Sequence, residues 1–402
     1  MILDTAGILI LLSALVVFSY LFDLVSKKTN VPSVLLLLGL GIGLNYIWKF
    51  FGGGPIDFST ILPVLGSVGL ILIVFEGSLE LQYEAGKSVL IRNAFLSSLI
   101  ILVFTALAVA GIFSYFTDFD FHICLLHAIP FSVISSAVAI PSVKGLVKSK
   151  REFIIFESTF SDIIGIMFFN FVLINREMTG LSALVLSRDL LLVVVLALVF
   201  CILLMFLMGK MKNHVKFFLI ISTLILIYGV GKVFHLSSLL IVMLFGIFLA
   251  NYHILAEWIE KKSRYIHLFR KLEYPNFNSD LSQLHTLSSE SAFLIRTFFF
   301  LVFGFSLHIE DLFQFESLFY GSIIVTIIYI SRYVYLKIAS PQNTWPEVLV
   351  SPRGLISILL FLSIPSDSIL FANEKGILVF VVLVTCLIMT IGLITGKSAS
   401  QR

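Results

Sequence analysis

From Phe153 to Ile174 the chain runs for twenty-two residues with two charges, Glu157 and Asp162. A stretch this long and apolar matches the ~20 residues a helix needs to cross the hydrocarbon core of a bilayer. In lipid every backbone N–H and C=O must be satisfied inside the protein, so such a segment is confined to helix unless it lines a cavity. An ionisable group at mid-membrane depth costs at least ~2.5–3.5 kcal/mol. A chain that keeps two of them in one span must either use them or pair them.

Similar runs recur along the whole length. Thirteen spans are expected, near 6–26, 31–48, 61–80, 93–116, 122–146, 153–174, 189–209, 215–233, 236–251, 291–309, 317–338, 346–365 and 375–395. The pair between Lys216 and Asn251 is short, split by Gly229-Val230-Gly231-Lys232 and His235; read as one span, it would invert every later orientation. Composition agrees with a polytopic membrane protein. Of 402 residues 59% are hydrophobic and 13% charged, with mean hydropathy +1.06, against about 25% charged in soluble domains. The first apolar run continues to Ser26 without a basic leader region, so it reads as a span. Cys124, Cys201 and Cys386 lie in or beside apolar segments with no paired spacing, and read as small hydrophobes. No metalloprotease, nucleophile-elbow or phosphate-loop pattern is present, no histidines are paired at ligand spacing, and no cofactor is expected.

Basic residues fix an orientation. With the N-terminus outside, nineteen Lys and Arg fall in inside loops and five in outside loops, while Arg296, Arg332 and Arg353 fall inside spans. This bias supports thirteen spans with the C-terminus in the cytoplasm. The net charge of +3 is carried by short loops between spans, which gives no reason to expect nucleic acid. Residues 1–251 hold spans one to nine, 252–290 form a polar cytoplasmic connector, and 291–402 hold spans ten to thirteen. The connector reads as solvated chain with room for a membrane-surface helix, or as a regulatory or dimer-contacting element.

An internal repeat is visible. Val74-Phe75-Glu76-Gly77-Ser78-Leu79-Glu80-Leu81 in span three resembles Val302-Phe303-Gly304-Phe305-Ser306-Leu307-His308-Ile309 in span ten. The offset is seven spans, an odd number, so the copies face opposite ways, as in the inverted-topology repeats of secondary transporters. The same offset relates spans five and twelve, and both are interrupted. Span five carries Pro130 and Pro141 around Ser135 and Ser136; span twelve carries Pro352 and Pro365 around Arg353-Gly354. Matched broken helices point to a substrate site near the bilayer midplane; the plainer alternative is two kinked helices.

The buried charges then take roles. Asp162, with Ser161 beside it and Ser158 a turn before, offers the oxygen ligands that hard cations prefer. A proton and a monovalent cation would compete for that one carboxylate; the alternative is a static partner for an arginine. Glu157 is five residues away and projects differently, as a second ligand or, preferably, as half of a structural ion pair with a buried arginine. The remaining arginines would compensate the charges of broken helix ends, although Arg296 also has room to snorkel to an interface. Glu76 lies near the inner surface, as a candidate pH sensor at the cytoplasmic mouth or an interfacial carboxylate.

These residues resemble the monovalent cation/proton antiporter superfamily, nearest its sodium/proton exchanger branch, over essentially the whole chain. Glu157-Ser158-Thr159-Phe160-Ser161-Asp162 is similar to that branch's Glu-Ser-Leu-Phe-Asn-Asp motif, and Pro352-Arg353-Gly354 to its Pro-Arg-Gly motif. The resemblance implies an all-α protein of about thirteen spans in two inverted repeats with two crossed broken helices. It also implies a dimerisation domain beside a mobile core, interleaved along the chain, a homodimer and an elevator-type movement. It makes Asp162 the aspartate that alternately binds cation and proton, and Arg332 the partner of Glu157. Two positions depart: Ser161 stands where the branch has Asn or Asp, and Ser136 stands where it has a site aspartate. Ser135-Ser136 is closer to the potassium-efflux branch. One acid shared by two substrates implies electroneutral exchange of Na⁺ or K⁺ for H⁺, in a cell (inner) membrane. The competing expectation is a channel-like K⁺ efflux pathway without obligatory proton coupling.

Overall fold

A computed structural model describes residues 13–14, 16–22, 24–25, 32–52, 54, 61–81, 85–175, 180–210, 217–234, 236–252, 254, 277–339, 344–365 and 368–400. Residues 255–276 of the expected connector and 6–12 of the first expected span lie outside these. The fold is all-helical, with no strand among the described residues. Its helices are α1 (Ser33–Phe50), α2 (Ile61–Leu79), α3 (Ser88–Phe116), α4 (Phe121–Ser132), α5 (Ser136–Ser142), α6 (Lys148–Ile174) and α7 (Gly180–Lys210). Then follow α8 (Phe217–Val233), α9 (Ser238–Ala250), α10 (Phe277–Ser306), α11 (Phe315–Ala339), α12 (Leu355–Leu362) and α13 (Glu374–Ser400).

Among the described residues seven helical segments are long and apolar enough to cross a membrane, and four shorter apolar helices accompany them. Length alone therefore does not reach the expected thirteen. The short pair after Lys216 is two helices. Leu236 N donates to Gly231 O, and Ser238 and Ile241 of α9 pack on Gly231 of α8, so the pair is a hairpin. Helix α10 begins at Phe277, well before residue 291 where its span was expected. Leu281, Leu284 and Leu287 recur at helical spacing among serines, a face that a hydropathy window averages away. Leu284 and Ser288 are buried.

The chain divides into two compact units. The first comprises Met1–Ser67, Val89–Val172 and Leu294–Arg402. In it α1 and the end of α10 approach through glycines. A Cβ on Gly41 would lie 2.3 Å from Leu301 O, and one on Gly304 would lie 2.6 Å from Leu38 O. With little hydrophobic drive between helices in lipid, such small residues give the close van der Waals contact that holds them together. Asn45 Nδ2 donates to the helix-end carbonyl of Phe305. Helices α11 and α13 pack along each other, with Gly321 under the Phe380 ring. The second unit comprises Val68–Ser88 and Leu173–Phe293. There α9 packs on α7 and α8, Phe75 stacks on Phe245, and Gly246 admits the Ser78 hydroxyl.

Candidate functional site

Two helices of the first unit are interrupted. Between α4 and α5 residues Val133 to Ser135 are extended, and α12 is preceded by the non-helical stretch Val350–Gly354. The two breaks meet: Ser135 N donates to Pro352 O at 2.9 Å, and a Cβ on Gly354 would lie 2.6 Å from Ser135 Oγ. Helix α6 lies against the first break. Gly165 leaves room for Val133, whose Cγ2 would be 2.3 Å from a Cβ there. One turn back, Ser161 Oγ accepts the N–H of Ile134 at 2.9 Å, and Asp162 Oδ2 accepts the N–H of Ser136 at 3.1 Å. Three successive backbone donors, at 134, 135 and 136, are thus each given an acceptor, as buried backbone requires. The Ser136 hydroxyl also donates to Asp162 Oδ2.

The arginines complete the accounting. Arg353 is fully buried, and its Nε donates to Phe131 O at 2.6 Å and its Nη2 to Ser132 O at 3.3 Å. Those are carbonyls of the last turn of α4, where the helix dipole is negative. Its Nη1 donates to the carbonyl and hydroxyl of Ser351. Arg296 Nη1 donates to Ala137 O at 3.0 Å. Pro141, four residues on, has no N–H to offer that carbonyl, so Arg296 supplies the missing donor. What remains is Asp162 Oδ1, with Ser135 Oγ and Ser357 Oγ. All three are buried without a hydrogen-bond partner. Nearly all buried polar atoms are partnered, so oxygens left over beside two broken helices mark a place for a donor or a cation.

Glu157 is elsewhere on the same helix. Five residues is about 140° of rotation and about 7.5 Å of rise. Its carboxylate is gripped by Arg332, Nη1 to Oε1 at 3.0 Å and Nη2 to Oε2 at 2.7 Å. Ser97 of α3 donates to Oε1 at 2.6 Å, and Arg332 Nε donates to Glu347 O at 2.9 Å. The Glu347 carboxylate meets Lys150 Nζ at 2.8 Å. The described residues contain no cluster of three His, Cys, Asp or Glu suited to a resident metal. One carboxylate among hydroxyls suits a monovalent ion as cargo.

A family model described as the transmembrane sodium/hydrogen exchanger matches residues 11–395. The chain belongs to the sodium/hydrogen exchanger family. As such it is an integral membrane transporter of the cation/proton exchange class and not an enzyme. The exchanger is also similar to a solved structure of the sodium proton antiporter MjNhaP1 from Methanocaldococcus jannaschii at pH 8. That likeness has 18% identity, a TM-score of 0.69, and coverage of 96% of this chain and 98% of that one. An electron-microscopy structure of the same antiporter gives 16%, 0.66, 99% and 97%. At these identities the likeness shows the fold. No curated protein matches the chain.

Other expected residues of the exchanger have partners of their own. The Ser158 hydroxyl donates to Ile155 O in its own helix at 3.2 Å. The Ser161 hydroxyl accepts the N–H of Ile134, which leaves it a second lone pair. Glu76 is half-buried and accepts from Ser289 Oγ at 2.7 Å, within the second unit. Sequence reasoning missed Ser357, Ser97 and Gly165. For Ser357 and Ser97 the available signal was a hydroxyl inside an apolar helix, and for Gly165 a glycine one turn from the acid.

Proposed function

We propose that the exchanger binds either one monovalent cation, Na⁺ or K⁺, or one proton at Asp162, and carries them in opposite directions. The observation that carries this reading is the state of that carboxylate: Oδ2 is held by both donors of Ser136, while Oδ1 is buried and unpartnered. A proton on Oδ1 or a cation at Oδ1 would each satisfy it. Both carry one positive charge, so the loaded site has the same net charge with either cargo, and exchange is electroneutral. Ser135 and Ser136, with the backbone of the breaks, complete the cation shell; Ser161 and Ser158 support it from α6. Arg353 and Arg296 offset the exposed carbonyl ends, and the Glu157–Arg332 pair fixes α6. Movement is of the elevator type in a homodimer, in the cell (inner) membrane, N-terminus outside and C-terminus cytoplasmic.

The test is cation-induced dissipation of a pH gradient in inside-out vesicles with Na⁺, Li⁺ and K⁺ in turn. The expected result for Asp162→Ala is loss of the response to every cation with normal membrane insertion. Exchange at the wild-type rate in that variant would overturn the assignment.

A further inference from the structure

A second acid–base pair lies in the first unit, away from Asp162 and Glu157. His127 on α4 and Glu374 at the start of α13 face each other, Nε2 to Oε1, at 3.5 Å. Their side chains are 3% and 15% exposed, so neither meets bulk water freely. Both are held in place from behind. His127 Nδ1 lies 2.9 Å from Ile123 O. A carbonyl can only accept, so Nδ1 carries a hydrogen, and in the neutral ring Nε2 is then a bare lone pair. Glu374 Oε1 accepts the N–H groups of Leu370 and Phe371, which fixes the carboxylate ahead of its helix. Nε2 has no hydrogen-bond partner. Two acceptors are therefore pinned opposite each other, beside a small and largely apolar cavity.

We propose that His127 and Glu374 together bind one proton, forming a second proton-binding site distinct from Asp162. The proton comes from water, bonds to Nε2, and is shared with Oε1 as an N–H···O hydrogen bond. It returns to water on release, so nothing else is consumed. A proton is the ligand these groups select, because a metal cation would need further oxygen ligands. The pocket offers rings and aliphatic chains instead: Phe113, Phe131, Phe361, Leu370, Phe371 and Ile377.

The other charged groups nearby are engaged or turned away. Of the elements packed on His127, α3 presents Phe113, α12 presents Phe361, and α13 presents Ile377 beside Glu374. His122 of α4 meets Val172 O at 2.7 Å, Glu316 of α11 accepts Asn373 N–H at 3.1 Å, and Asp120 and Lys375 are exposed. The pair bears on transport through Phe131, whose ring lines this pocket while its carbonyl is bound by Arg353 at the meeting of the broken helices. With the proton bound, α4 is tied to α13 behind that carbonyl; without it, the two acceptors repel.

The experiment is ¹⁵N magnetic resonance of histidine-labelled exchanger in lipid, from about pH 5 to about pH 9. The His127 signal is assigned by its loss in His127→Gln. Nε2 is expected to change from protonated to bare across this range. In Glu374→Gln the amide oxygen still accepts from Leu370 and Phe371, while its NH₂ can donate to Nε2. The titration should therefore vanish, leaving Nε2 a bare acceptor throughout. In Asp162→Ala the titration should persist although exchange is lost, which separates this site from the transport carboxylate. A wild-type Nε2 that never gains a proton, or a titration unchanged by Glu374→Gln, overturns the site. The exchange rate of Glu374→Gln should lose the component of its pH dependence that follows the His127 titration. A pH profile superimposable on the wild type overturns the link to transport.

Discussion

The Glu157–Arg332 pair makes a sharp energetic prediction. Arg332 is 0% exposed and Glu157 1%. Their two N–H···O contacts are 3.0 and 2.7 Å, with Ser97 and the Glu347 carbonyl taking up further hydrogen-bonding capacity. Forming such a pair recovers little beyond its desolvation cost, but breaking it strands a buried charge, at ~3–5 kcal/mol. Arg332→Met should therefore destabilise by that amount, because Ser97 alone cannot neutralise Glu157. Glu157→Gln/Arg332→Met together should be less damaging than Arg332→Met alone, with a coupling energy of at least about 2 kcal/mol. The exchanged pair, Glu157→Arg/Arg332→Glu, should recover only part. It restores attraction, but it turns a carboxylate toward the Glu347 carbonyl, and two acceptors then face each other. Cys124, Cys201 and Cys386 are all buried, so a thiol-reactive dye reports unfolding on heating in detergent. Additive single substitutions, with coupling near zero, would refute the reasoning. The rotation of about 140° between Glu157 and Asp162 adds a control. Folded Arg332→Met protein should keep its cation affinity, and lost affinity with an unchanged melting point would move the pair into the ion site.

Two further substitutions probe the breaks. Gly354→Ala places a Cβ 2.6 Å from Ser135 Oγ and 2.8 Å from Val138 Cγ2. Overpacking of this kind costs ~1–3 kcal/mol, so a lowered melting point and impaired exchange are expected, and a wild-type melt would contradict the contact. Arg296→Met strands the Ala137 carbonyl at ~1–3 kcal/mol. Adding Pro141→Ala restores a helical N–H to that carbonyl, so the double variant should melt above Arg296→Met; equal melting points would refute the proline explanation.

Much of this fold was legible because lipid leaves few choices. Apolar runs had to be helices, and prolines in two of them had to free backbone groups that something polar would meet. The expensive acid on α6 pointed to the same place. What the sequence hid were contacts set by distance along the chain. The eight histidines gave no ligand spacing, since His127 and Glu374 lie far apart in the sequence and meet only after folding. The start of α10 was hidden because serines and other polar residues are interspersed among its leucines. Arg296 was expected to compensate a broken helix end, but its particular acceptor, the carbonyl of Ala137, was not named. A proline at 141 removes the usual N–H donor to the carbonyl at 137 in any helix, and an arginine within a span is a ready donor.

The two buried arginines, with the half-buried Arg296, also bear on why a single acid can serve the site. Had Arg353 or Arg296 been turned onto Asp162, the carboxylate would be neutralised permanently and neither proton nor cation could compete for it. Instead Arg353 is spent on the carbonyls of Phe131 and Ser132, and Arg296 donates to the carbonyl of Ala137. Arg332 is consumed by Glu157. The hydrogen bonds of Arg353 and Arg296 are thus directed to the backbone of the broken helices rather than to Asp162, while Ser136 holds only one of its oxygens. An aspartate at position 136 would put a second negative charge against Oδ2. A serine there donates to it instead, so Asp162 stays singly charged and free to trade one cation for one proton under the proposed mechanism.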